Sequence, residues 1–159
     1  MARRIKRRID LGHQKEKLVE KIINKLRQSR PWIIEAKQSL PGKKEDAEGK
    51  DVIVYTTYGE FYIQVKSCAS SAEHFIKDKR HSKRYKKMYV VEHPSESKII
   101  CREMPSPDQN ANAFIVILII FRKQKKINQK TDRIEDTSFV FKKVQITLDI
   151  IKKHIDDMK

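Results

Sequence analysis

Apolar positions along the chain change period several times, and each change marks an element. Leu18, Val19, Ile22, Ile23 and Leu26 recur at helical spacing and predict a helix over residues 13–28. Pro31 ends it, because the residue before a proline is pushed out of the α region. Pro31-Trp32-Ile33-Ile34 reads as a short buried anchor whose secondary structure the pattern leaves open. A polar, turn-rich stretch covers residues 39–50. Residues 52–57 (VIVYTT) and 61–66 (FYIQVK) are then two β-rich runs joined through Gly59, which predicts an antiparallel hairpin. Alternation in the second run sends Phe61, Ile63 and Val65 to one face and Tyr62, Gln64 and Lys66 to the other.

Residues 71–86 are polar and basic, with Ala72, Phe75 and Ile76 on an apolar side, and predict a second helix. Residues 88–91 and 98–101 predict short strands, and residues 104–112 a loop. Residues 113–121 are apolar without a break, the pattern of a strand buried on both faces. At nine residues this run is far short of the roughly 20 that a bilayer-spanning helix needs. Residues 122–130 read as a basic loop and residues 139–141 as a last short strand. Residues 144–158 predict an amphipathic helix with Ile146, Ile150, Ile151 and Ile155 inward. Residues 1–12, with Arg3, Arg4, Lys6, Arg7 and Arg8, read as a basic arm ahead of one domain over residues 13–159. The element order predicts a mixed α/β fold.

Charge narrows the function. Lys and Arg number 36 against 21 Asp and Glu, a formal net charge of +15. Such a surplus repels itself in a compact chain and is relieved by a polyanion, so nucleic acid is the expected partner and a membrane surface is not. The basic start lacks a following apolar stretch and is no secretory signal. Cys68 and Cys101 make neither a disulfide framework nor a zinc spacing, and four glycines leave no phosphate-cradling loop. A reduced, cytoplasmic setting is expected.

The hairpin is where chemistry can sit. Asp51 opens its first strand, and Gln64 and Lys66 share one face of the second. A carboxylate, an amide oxygen and the Val65 carbonyl form a donor set for a hard divalent cation, Mg²⁺ or Mn²⁺. A lysine beside that ion can act on a water and stabilise charge developing on a phosphodiester.

Asp51, the β-run and Ile63-Gln64-Val65-Lys66-Ser67, preceded by Pro31-Trp32-Ile33, resemble the catalytic core of the PD-(D/E)xK nuclease superfamily, which includes restriction endonucleases and Holliday-junction resolvases. The resemblance covers residues 13–92 and is to members with a QVKS version of the last motif. It implies a restriction-endonuclease-like mixed β-sheet with flanking helices (an αβββαβ core), metal dependence and phosphodiester hydrolysis. Asp51 then matches the metal-binding aspartate and Lys66 the catalytic lysine, while Gln64 stands where the second acidic ligand usually is. A first-helix acid would be Glu20 or, as the other option, Glu16, and Asp46 is a possible auxiliary ligand. Relatives often pair to cut two strands, which makes a homodimer an expectation.

Residues 77–87 add a separate signal, with seven basic side chains (Lys77, Lys79, Arg80, Lys83, Arg84, Lys86 and Lys87) against one Asp. On a helix near the site they would track a phosphate backbone without reading sequence. The expected function is therefore a Mg-dependent endonuclease acting on DNA. Its rival is a non-catalytic nucleic-acid-binding module with a decayed nuclease fold.

Overall fold

The computed structural model describes residues 2–39, 51–66, 69–78, 85–95, 98–104, 113–122, 133–134 and 137–158. Six strands form one mixed sheet: β1 (Ile33–Gln38), β2 (Val52–Thr56), β3 (Gly59–Lys66), β4 (Tyr85–Ser95), β5 (Lys98–Met104) and β6 (Ala113–Ile119), in the spatial order β1-β2-β3-β6-β4-β5. β1, β2 and β3 are an antiparallel meander; β6 lies parallel to both β3 and β4; β5 returns antiparallel to β4 at the edge. Two short strands, β7 (Phe121–Arg122) and β8 (Arg133–Ile134), pair separately. The helices are α1 (Ala2–Leu26), α2 (Ala69–Lys77) and α3 (Thr137–Met158). Among the described residues no helix is long and apolar enough to cross a membrane.

The continuous apolar run behaves as its composition dictates. β6 sits at the centre of the sheet, and every residue from Phe114 to Ile120 is buried. Its alternate side chains enter two cores. Phe114, Val116, Leu118 and Ile120 join Phe61, Ile63 and Val65 of β3 under α1 and α3. Ile115, Ile117 and Ile119 join Phe75 of α2 and Met88 and Val90 of β4 on the other face. Each such side chain fully buried contributes about 1.5–3 kcal/mol, so the central strand anchors both layers.

Four boundaries differ from the sequence reading, each for a local reason. The Trp32–Ile34 anchor leads directly into β1, and a register shift between Ile33 and Glu35 breaks the period of two that would have revealed it. The predicted helix over residues 71–86 stops at Lys77, where the Asp78 N–H closes the last turn on the His74 and Phe75 carbonyls (3.1 and 3.3 Å). Tyr85 then opens β4 and is fully buried. Residues 139–141 are no strand but the start of α3, whose seam is Val140, Val144, Leu148, Ile151 and Ile155. α1 begins at Ala2, so the basic arm is helical and continuous with the predicted helix.

One titratable ring sits in the α3 core. His154 packs against Phe114 (centroids 4.6 Å apart) and Phe61 (6.0 Å). Burial, and then the Lys87 charge, push its pKa below the ordinary 6.5, with Lys86 adding to the effect and Asp157 opposing it. Well above pH 6.5 the ring is neutral in both the folded and unfolded chain and contributes nothing to the pH dependence. Below that value the unfolded chain takes up its proton first, so stability falls as pH drops toward the lower folded pKa. In urea unfolding between roughly pH 7.5 and 5.5, His154→Phe is expected to flatten the decline of the midpoint with acidification. A pH profile parallel to that of the unsubstituted protein would show that the ring titrates alike in both states.

Candidate active site

The β2–β3 register builds the site. Val52 faces Ile63, so Asp51, one residue earlier, comes alongside Gln64. Asp51 is 5% exposed, and its Oδ2 accepts a buried hydrogen bond of 2.9 Å from the N–H of Val65, two residues past that last ladder pair. A side-chain carboxylate thus continues the ladder where the backbone of β2 has ended. In an extended strand the N–H and C=O of one residue point to the same side, so the Val65 carbonyl also faces the Asp51 side. The Asp51 carbonyl in turn accepts from the Ser39 N–H (2.8 Å), which ties the end of β1 to the same corner.

Gln64 lies between these groups. It is 6% exposed, and its Oε1 has no hydrogen-bond partner among the described residues. Leaving such an oxygen unmet costs about 1–3 kcal/mol. Lys66, on the same face, is half-buried, and its Nζ stands 5.3 Å from the centre of the Phe75 ring of α2. A cation over an aromatic face is held electrostatically while keeping its donors. By register, Asp51 and Gln64 are cross-strand neighbours, and Lys66 follows two residues later on the same face of β3.

A residue absent from the sequence reading closes the same end of the sheet. Lys143 of α3 is 1% exposed and donates to the Ile119 carbonyl at 2.7 Å. Ile119 is the register partner of Lys66, whose own carbonyl accepts from the Ile120 N–H (3.1 Å). The signal was available: Lys143 falls between Val140 and Val144 on the α3 seam, where a charge is out of place.

The first-helix acids bond at the Gln38 end of β1. Glu20 Oε2 accepts from the backbone N–H of Gln38 at 2.6 Å, and Glu16 Oε2 accepts from the Gln38 side-chain amide at 3.0 Å. Both therefore fasten α1 to the end of β1, where Gln38 pairs with Val52 and the next residue, Ser39, donates to the Asp51 carbonyl. Asn24, bonded twice to the Ala36 backbone, and Arg27, bonded to the Ile34 carbonyl, continue this antiparallel lacing. Among the described residues no three His, Cys, Asp or Glu side chains are grouped to hold a metal ion. Asp46 lies outside the described residues, as do Lys79, Arg80, Lys83 and Arg84.

Of the basic segment, only its two ends are among the described residues. Lys77 is exposed on the last turn of α2, and Lys86 and Lys87 are on β4. β3, β6 and β4 are parallel, and Tyr85 pairs with Ala113, so the start of β4 is at the opposite end of the sheet from Lys66. The basic residues nearer Asp51 by backbone are those of α1. Its lacing to β1 runs from Arg27 at one end to Glu16 at the other, and the turns before Glu16 continue past the Gln38 end of the sheet.

Compared with family models, curated proteins and solved structures, the chain matches none of them.

Two substitutions separate the roles of the buried polar pair. Asp51→Ala leaves the Val65 N–H without its acceptor and is expected to cost about 1–3 kcal/mol, while Asp51→Asn, which keeps an acceptor oxygen, loses less. Gln64→Leu replaces the unmet oxygen with an apolar group of similar size and is expected to gain roughly 1 kcal/mol. Urea midpoints at unchanged slope measure all three; a destabilised Gln64→Leu would mean that the amide is satisfied in solution.

Proposed function

We propose that the protein is a divalent-metal-dependent endonuclease that hydrolyses phosphodiesters in DNA, with Asp51, Gln64 and Lys66 as its working residues, in the manner of the PD-(D/E)xK nucleases that its sequence resembles. The observation that carries this reading is the buried Oε1 of Gln64, without a partner among the described residues, across the β2–β3 ladder from Asp51. An oxygen withheld from every described protein donor is suited to a cation. Asp51, Gln64 and the Val65 carbonyl supply one charged and two neutral oxygens, a hard donor set that suits Mg²⁺ or Mn²⁺ with water completing the shell. When bound, such an ion polarises phosphoryl oxygens and lowers the pKa of an attacking water.

The chain's own groups do the rest. Lys66, held over Phe75, presents an ammonium to the charge that grows on the phosphate in the transition state. Asp51 keeps one oxygen on the Val65 N–H, which fixes the direction of the other. α1 brings Arg3, Arg4, Lys6, Arg7 and Arg8 on its first turns past the sheet edge at this end, a favourable position for a polyanion.

One observation favours the second reading, a nucleic-acid-binding module without catalysis. Gln64 contributes no charge, and no third acid joins Asp51 among the described residues. Metal dependence separates the two. Nicking of supercoiled plasmid is expected to require Mg²⁺ or Mn²⁺, and Lys66→Ala is expected to slow it at least about 100-fold while duplex affinity stays within a factor of two to three. Salt-sensitive duplex binding with no metal-dependent nick would instead establish the module. Equal cutting by Lys66→Ala would remove Lys66 from the site.

A further inference from the structure

The turn at the far end of the β2–β3 hairpin is built to hold an aromatic ring outward. Gly59 takes φ +122°, a conformation open to glycine. Thr56 Oγ1 accepts from the Tyr58 N–H (3.1 Å) and donates to the Gly59 carbonyl (2.7 Å), so the turn is cross-braced from within. The Thr57 N–H donates to the Trp32 carbonyl at 3.1 Å, which fixes this turn against the α1–β1 corner. Tyr58 is left 47% exposed, and Trp32 lies half-buried against the main core.

Between them is a cleft of about 740 Å³. Its walls carry the two rings, the hydroxyl-bearing Ser29 and Thr57, and two cations, Arg30 and Lys152. Each cation is positioned by an acid on α3: Arg30 Nη1 by Asp149 at 2.7 Å, and Lys152 Nζ by Asp156 at 2.7 Å. A guanidinium bonded through one nitrogen to one carboxylate keeps further N–H donors for an incoming anion.

We propose that this cleft is a nucleotide subsite for a single-stranded stretch of nucleic acid, with a base stacked on Tyr58 beside Trp32 and its phosphate met by Arg30 and Lys152. Two aromatic faces beside two cations call for a ligand with a flat π-surface and a negative charge, which a nucleotide combines. The strand must be unpaired, because a base inside a duplex has both faces covered. Gly59 and Lys66 are the two ends of β3, so the cleft lies roughly 20–25 Å from the catalytic corner, several nucleotides away. The subsite rests on the nucleic-acid part of the proposed function and is independent of cleavage.

Trp32 is the only tryptophan in the chain, so its fluorescence reports on this cleft alone. A fluorescein-labelled oligo(dT) followed by polarisation reports binding anywhere on the protein; the unlabelled strand, followed by Trp32 emission, reports binding here. Oligo(dT) is expected to quench Trp32 to saturation at the same concentration that saturates polarisation. Tyr58→Ala is expected to weaken oligo(dT) by about 5- to 150-fold, the span of one lost base–aromatic stack. Tyr58→Phe, which keeps the face, is expected to bind as the parent does, and Tyr58→Ala is expected to leave blunt-duplex affinity and plasmid nicking unchanged. Oligo(dT) bound by polarisation with Trp32 emission unmoved, or bound equally by Tyr58→Ala, overturns the subsite and leaves the endonuclease standing. Failure of both oligo(dT) and duplex to bind overturns the subsite together with the nucleic-acid reading.

Discussion

The β2–β3 corner depends on one buried hydrogen bond, from the Val65 N–H to the Asp51 carboxylate at 2.9 Å. A charge-assisted bond of this kind is roughly twice as strong as a neutral one, and it stands where the β2 backbone no longer supplies acceptors. The bond extends β3 by two residues beyond its last β2 partner, so Gln64 and Lys66 remain strand residues with fixed side-chain directions. On the other edge of β3 the pairing with β6 runs through Lys66 itself, and Lys143 seals the Ile119 carbonyl beside it. Lys66 is thus backed by rigid backbone on both sides, the condition under which an ammonium can be aimed at a reacting group.

That rigidity is spread over several elements, which explains how much of it could be seen in one dimension. The two-residue period of FYIQVK revealed β3 and both of its faces, because the hairpin is regular and one face is fully buried. The nine-residue apolar run revealed β6 as a central strand, although not that it would insert between β3 and β4. Asp51, Gln64 and Lys66 could be grouped because their relation is local, carried by a single hairpin. β1 stayed hidden behind its bulge. The end of α2 and the strand start at Tyr85 were hidden because the run of basic residues between them carries no apolar period. Whether Glu20 reaches Asp51 or β1 depends on how α1 lies across the sheet, a long-range fact that helical spacing does not encode.

The charge surplus is likewise arranged by topology. Parallel β3, β6 and β4 carry Lys86 and Lys87 to one end of the sheet, while α1 carries its basic turns to the other. Arg30 and Lys152 stand at the same end as the hairpin turn. Positive charge therefore flanks both ends of β3.

The identity of residue 64 bears on the lysine as much as on any cation. A carboxylate at this position would lie two residues from Lys66 on the same face and would attract its ammonium into an ion pair. An amide exerts no such pull. The Lys66 ammonium rests over the Phe75 ring, a partner that attracts a cation without accepting its protons in strong hydrogen bonds. Gln64 and Phe75 therefore act together: one removes a competing charge and the other holds the freed ammonium in place. The unmet oxygen of Gln64 is the cost of that arrangement, and it is localised where a ligand can offset it.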